Sequence, residues 1–281
     1  MNFQENIKNH LSEYKIHKLG VSENGFWKKN KVPYSHILPV EYMDLNLIED
    51  YRKELLQYIQ EQKLHLHQDF HHLNSSQAVC LNFFYPLILE NKIELLLKIL
   101  NLENESPELC EFEKIMNFEE GTNFDFYIKL RSGKQIFFEI KYTESKFGKV
   151  KSSEKYIKKY NEVYKYRLFE KLKSDLNQYE ELIRNYQLLR NLSYLEESND
   201  NLLIIICPNN NYSLYKEYQH VFNNVIVPSL HHNISFIPWE SLLDQLTILL
   251  HNTSDSPKRL KNHYSNFKEK YLIRGNLDEK K

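Results

Sequence analysis

Asp125, Glu139 and Lys141 have the residue types and spacing to do phosphoryl chemistry. In an extended strand, residues two apart share a face, so Glu139 and Lys141 point the same way while Ile136, Phe138 and Ile140 point to a core. Asn123–Leu130 alternates polar and apolar residues, Arg131–Lys134 reads as a turn containing Gly133, and Gln135–Tyr142 reads as a second strand. Pairing across that turn sets Asp125 beside Glu139 at the open end of the hairpin. Two carboxylates and an ammonium group would then converge. That grouping suits Mg²⁺, with Mn²⁺ as the natural substitute: the ion takes oxygen ligands and keeps several waters, so one Asp and one Glu plus phosphate oxygens suffice. The ion would acidify a bound water and neutralise charge on a scissile phosphate. Lys141 could orient the attacking water and stabilise the charge that develops. Upstream, Glu113 could add a third carboxylate, with Glu111 as its competitor. Pro107 and the stretch ELCEFEKIM read as a helix, on which these two acids stand about 200° apart, so only one would face the site.

The elements that must position these residues follow from periodicity. Leu45–Gln62 has Leu45, Ile48, Leu55, Leu56 and Ile59 spaced for one helix face. Asn74, Ser75 and Ser76 offer N-caps for a buried apolar helix, and Asn91–Asn101 reads as another. Ser153–Glu197 is helix-like throughout. Leu202–Ile206 is a short apolar strand suited to a sheet interior, and Ile234–Ile237 is another, followed by a helix to about Leu250. This order predicts an α/β fold with a mixed central β-sheet flanked by α-helices. Residues 1–60 read as a helical and irregular N-terminal extension, 61–250 as the core, and 251–281 as a polar, Lys-rich tail or loosely docked helix.

Composition narrows the function classes. The chain has 281 residues, enough for a sizeable core, and a net charge of −1, which excludes a globally basic nucleic-acid coat. Its 6 glycines form neither G-x-G nor a phosphate-binding G-K-[ST] loop, so dinucleotide and P-loop chemistry are absent. The 3 cysteines show no C-x-x-C, which argues for a reducing, cytoplasmic setting over a disulfide framework. The N-terminus lacks an apolar signal core, and no apolar run approaches the ~20 residues of a membrane helix. His65, His67, His71 and His72 raise a zinc reading, but ordinary packing fits their neighbours better. Trp27 and Trp239 read as core residues.

The constellation Glu113…Asp125-x13-Glu139-Ile140-Lys141 resembles the PD-(D/E)XK nuclease superfamily, with Phe124-Asp125 in place of Pro-Asp. Tyr34–Pro39, His72–Ala78, Thr122–Asp125, Phe138–Glu144 and Tyr186–Asn191 together resemble the bacterial PGN_0703-type restriction endonuclease-like family, over roughly residues 30–245. The resemblance implies a restriction endonuclease-like fold and metal-dependent phosphodiester hydrolysis. It makes Asp125 and Glu139 metal ligands, Lys141 the catalytic lysine and Glu113 the accessory acid. Double-stranded DNA would be the substrate, and the paired sites common among restriction-type enzymes would suit a homodimer.

A substrate of that kind needs local positive charge. Lys146–Lys173 carries ten Lys/Arg against three Glu, with tyrosines interleaved. Lys146, Lys149, Lys151, Lys155, Lys158 and Lys159 are candidate phosphate contacts, and Gln187, with Arg190 and Asn191 near it on a helix, could approach the site and hold the scissile phosphate or the water. Two other readings compete: a nuclease-like module that only binds nucleic acid or a partner protein, and a structure-selective repair or RNA nuclease.

Overall fold

The computed structural model describes residues 2–118, 120–195 and 200–273. The end of the helix-like stretch to Glu197 and the last part of the Lys-rich tail lie outside the described residues. The chain divides into two compact units: Met1–Asn104 with Pro238–Lys281, and Glu105–Ile237. This division is discontinuous in sequence, unlike the extension, core and tail suggested by composition.

The first unit opens with α1 (Phe3–His17), capped by Asn2 and Glu5 in a reciprocal capping box. A short antiparallel hairpin follows, β1 (Gly25–Trp27) and β2 (Val32–Tyr34). Gly25 is required there: a Cβ would lie 2.0 Å from the Leu38 carbonyl oxygen, so only glycine lets the hairpin approach that backbone. The helix expected over Leu45–Gln62 is shorter. Two 3-10 turns lead into α2 (Arg52–Glu61). Ser75 caps α3 (Ser76–Leu89) by accepting from the Ala78 N–H, and every residue from Gln77 to Leu87 is buried. α4 (Ile93–Ile99) follows.

The second unit is built on a five-stranded mixed sheet in the order β3-β4-β5-β6-β7. β3 (Pro107–Asn117), β4 (Thr122–Leu130) and β5 (Gln135–Ile140) are antiparallel neighbours, and β5 pairs parallel to β6 (Leu202–Cys207). β3 corrects the helix expected for ELCEFEKIM. Its Glu, Leu and Lys residues have helix propensity, but pairing of the whole segment to β4 outweighs it. As a sheet edge, β3 also carries exposed charge suited to that position. Apart from Gln135 and Glu139, β5 and β6 are apolar, and both strands are largely covered, as a parallel interior pair requires.

The stretch expected as one long helix is broken into α5 (Glu154–Lys159), a π turn (Tyr160–Tyr164), α6 (Lys165–Arg167), α7 (Tyr179–Arg184) and α8 (Tyr186–Leu192). Between α6 and α7, Leu172 forms an isolated bridge to Ile226, which pulls the chain out of helix. α9 (Tyr212–Asn224) precedes β7 (Ile234–Pro238). Leu188, Leu189 and Leu192 of α8 and Leu214, Tyr218 and Val221 of α9 share one core with Phe137, Leu203 and Ile205 of the sheet.

The chain then returns to the first unit as α10 (Trp239–Asn252) and α11 (Lys258–Tyr271). α11 takes the helical of the two forms read for the Lys-rich end, and it is firmly packed. Leu260, Tyr264, Phe267 and Tyr271 form a buried stripe beneath its lysines, and the Tyr264 hydroxyl donates to the Phe83 carbonyl at 2.7 Å. Among the described residues, no helix is long and apolar enough to cross a membrane.

Candidate active site

The sheet of the second unit brings the sequence-selected residues together. Phe126 pairs with Phe138, so the next antiparallel step sets Asp125 level with Glu139. Asp125 Oδ2 accepts a hydrogen bond of 2.6 Å from the Ile140 N–H, which fixes its carboxylate at the end of β5. On the other side of β4, β3 is in register through Phe112 with Phe126 and Lys114 with Phe124, which sets Glu113 level with Asp125. Glu113 takes a left-handed backbone conformation (φ 50°), and its Oε2 accepts from Asn123 Nδ2 at 2.6 Å. Glu111 instead pairs with Lys114 at 2.5 Å. On a strand the two acids, two residues apart, are no longer separated by helical rotation; the left-handed backbone at Glu113 and their different partners distinguish them instead.

Lys141 lies one residue beyond β5, where its N–H continues the parallel ladder to the Ile206 carbonyl at 2.8 Å. Its Nζ is 2.7 Å from Glu139 Oε1, and both side chains are buried. Burial alone would lower the lysine pKa. The charges of Glu139, Glu144 and Asp125 outweigh that and raise it, so the ammonium is held protonated. The Asp125 pKa is raised as well: desolvation, then the negative charges of Glu139 and Glu113, push its carboxyl well above the usual range, against the opposing pull of Lys141 and the Ile140 N–H.

Two residues of α8 complete this cluster. Gln187 and Asn191 are four apart and share a helix face. Gln187 Nε2 donates to Glu139 Oε1 at 2.7 Å, its Oε1 accepts from Lys141 Nζ at 3.0 Å, and Asn191 Nδ2 donates to Glu139 Oε2 at 2.6 Å. The loop after Lys141 makes room for Gln187 at Gly148 (φ +91°), whose carbonyl accepts from the Gln187 N–H at 3.3 Å. Gln187 thus reaches the site, where it bridges the carboxylate and the lysine. Asn191, which the sequence offered only as a helix neighbour of Gln187, is brought to the site by its i, i+4 relation to that residue. Replacing Asn191 by Leu should cost about 1.5–3 kcal/mol, because a buried carboxylate loses a charge-assisted donor. Urea denaturation measures this, and an unchanged midpoint would show that the bond contributes nothing.

The basic segment divides. Lys146, Lys149, Lys151, Lys155 and Lys158 are exposed, and Lys158 sits 3.9 Å from Glu162. Lys159 turns inward instead and donates to the Glu120 carbonyl, so it is committed within the fold. Glu120 is itself buried, accepting from Thr122, Tyr164 and Tyr194.

A metal fits the chemistry of this donor set. Asp125, Glu139 and Glu113 supply hard oxygen atoms and excess negative charge in a desolvated place, with Lys141 as the compensating cation. Among the described residues, no three His, Cys, Asp or Glu side chains form a ready-made metal cage. A two-carboxylate site leaves its remaining positions to water and substrate oxygens.

This five-stranded mixed sheet, flanked by helices, has the architecture of restriction endonuclease-like proteins. Over residues 8–272 the sequence matches the family described as restriction endonuclease associating with ARP, and the chain belongs to that family. No curated protein and no solved structure matches it. Family membership points to a nuclease with a nucleic-acid substrate.

Proposed function

We propose that the chain is a Mg²⁺-dependent endonuclease that hydrolyses phosphodiester bonds of double-stranded DNA in a restriction or phage-defence role. The observation that carries this reading is the convergence of Asp125, Glu139 and Lys141 at adjoining strand ends, with Glu113 level with Asp125. Asp125 and Glu139 would hold Mg²⁺ or Mn²⁺. When bound, the ion would neutralise charge on the scissile phosphate and acidify the attacking water. Lys141 places a fixed positive charge where negative charge grows during in-line displacement, without reorganisation at the moment of reaction. Glu113 is the accessory acid. Gln187 and Asn191 hold Glu139 in one orientation, which preserves the spacing the reaction needs. Lys146, Lys149, Lys151, Lys155 and Lys158 would meet backbone phosphates and give salt-dependent affinity.

Unmethylated plasmid DNA incubated with Mg²⁺ or Mn²⁺ is expected to yield discrete fragments, and none with EDTA. A smear would keep the metal-dependent nuclease but replace site-specific cutting by non-specific or structure-selective cutting. Tight, salt-sensitive binding with no cleavage under either metal would replace the enzyme by a binding module. Glu139 gives that alternative a physical basis, because Lys141, Gln187 and Asn191 already engage both its oxygens.

A further inference from the structure

The Tyr34–Pro39 and His72–Ala78 segments carry none of the carboxylates of the sheet site, yet they meet in the first unit around a cavity of about 170 Å³. Trp27, Tyr34, His36 and His72 form its aromatic lining, with Lys8 beside them. The rings stand as walls: Trp27 and Tyr34 are 6.2 Å apart at 68°, Trp27 and His72 6.4 Å at 78°, and Tyr34 and His36 5.7 Å at 63°. Contrary to the reading of Trp27 as a core residue, its ring is only partly buried, because it borders this opening.

Three features define what the cavity takes. Its volume is close to the roughly 150 Å³ that admits one six-membered aromatic ring. Its lining is not purely apolar: His72 Nε2 is buried without a hydrogen-bond partner, and the nearest carboxylate oxygen, Asp69 Oδ1, is 3.6 Å away. That carboxylate is also tied to Trp27 Nε1, through Oδ2 at 3.2 Å. Its charged neighbours are mainly cations. Lys8 lines it, Lys29 Nζ lies 5.6 Å over the Trp27 ring, and Lys28 and Lys31 are exposed in the same hairpin turn. Cations at the mouth reject an ammonium ligand, and aromatic walls with a polar edge favour a flat ring that can hydrogen-bond.

We propose that the Trp27–Tyr34–His72 cavity captures one unpaired base of a nucleic-acid strand, a single-ring pyrimidine fitting best, while the lysines of the hairpin turn meet its phosphates. The inference rests on the reading of the chain as a nucleic-acid enzyme and adds a second contact, separate from the carboxylate site. The base stacks on the aromatic walls, and its polar edge satisfies His72.

Trp27 fluorescence tests this in EDTA, so cleavage plays no part. Single-stranded pentathymidylate should quench the emission saturably. An abasic deoxyribose-phosphate oligomer of equal length should not, and Trp27→Phe should remove the response. Tyr34→Ala should weaken binding about tenfold, within the range for loss of one stacking partner. Tyr34→Phe, which keeps the ring, should retain it and so guards against a folding artefact. Equal quenching by the abasic oligomer, or none by pentathymidylate, overturns the proposal. Equally tight binding of free thymidine overturns the strand as ligand. Plasmid cleavage run in parallel separates the two readings: fragments without quenching refute the cavity alone, and quenching without fragments refutes only the nuclease.

Discussion

Lys141→Ala is expected to lower metal-dependent cleavage by on the order of 10³-fold, the scale of removing one preorganised charge at a reacting centre. The same change should also destabilise the second unit. Glu139 is 3 % exposed, and Lys141 is its only cationic partner among the described residues. Breaking a buried pair from one side leaves an uncompensated charge and costs about 3–5 kcal/mol. The two effects are separable. Lys141→Arg keeps the charge but not the compact ammonium geometry, so it should hold most of the stability while cleavage still falls steeply. Cleavage rates at saturating metal, measured beside urea denaturation of each variant, give both numbers. Full cleavage by a folded Lys141→Ala protein would remove Lys141 from the mechanism.

Acidification from pH 6.5 to 4 should unfold the first unit, while leaving it stable above pH 7. Burial lowers the pKa of His263 to about 4, His72 to about 4 and His36 to about 3, from an ordinary 6.5. His263 illustrates the cause: it is 1 % exposed in a helix-packed core with no room to hydrate an imidazolium, and this desolvation outweighs the hydrogen bond from its Nε2 to the Asn82 carbonyl at 2.6 Å, which favours the charged ring. A depressed folded pKa means that the unfolded chain binds protons first. Stability is therefore complete above pH 6.5 and is lost as pH falls toward the folded values. A shift of this size is worth about 3 kcal/mol for each histidine, and three of them approach the whole stability of a typical domain. Trp27 and Trp239 are the chain's 2 tryptophans and both belong to the first unit, so their fluorescence reports on it directly. Denaturant midpoints that stay flat from pH 7 to 4.5 would show that these histidines can protonate in place.

The parts of the fold most legible in the sequence were those with short-range rules. The β4–β5 hairpin was written in alternation and a four-residue turn, β6 in an unbroken apolar run, and the start of α3 in the Ser75 cap. β3 was not legible, because Glu-Leu-Cys-Glu-Phe-Glu-Lys suits a helix until β4 is available to pair with it. α11 was obscured differently: its lysines dominate the composition, while its four-residue stripe of large side chains carries the packing. At the candidate site, the register of one hairpin was enough to place Asp125 beside Glu139. The contributions of Gln187 and Asn191 required knowing where α8 crosses the sheet, information that lies in long-range contacts. The Trp27 cavity was equally hidden, since it depends on Tyr34 and His72 meeting across about forty residues of chain.

The discontinuous make-up of the first unit sets a timetable for synthesis. Its opening segment ends at Asn104, but α11, which covers α3 through His263 and Tyr264, is not complete until Tyr271. At 5–20 residues per second, a ribosome needs roughly 10–30 s to add the chain between them. The intervening sheet unit is finished first. The apolar α3, born early, waits that long for this part of its cover.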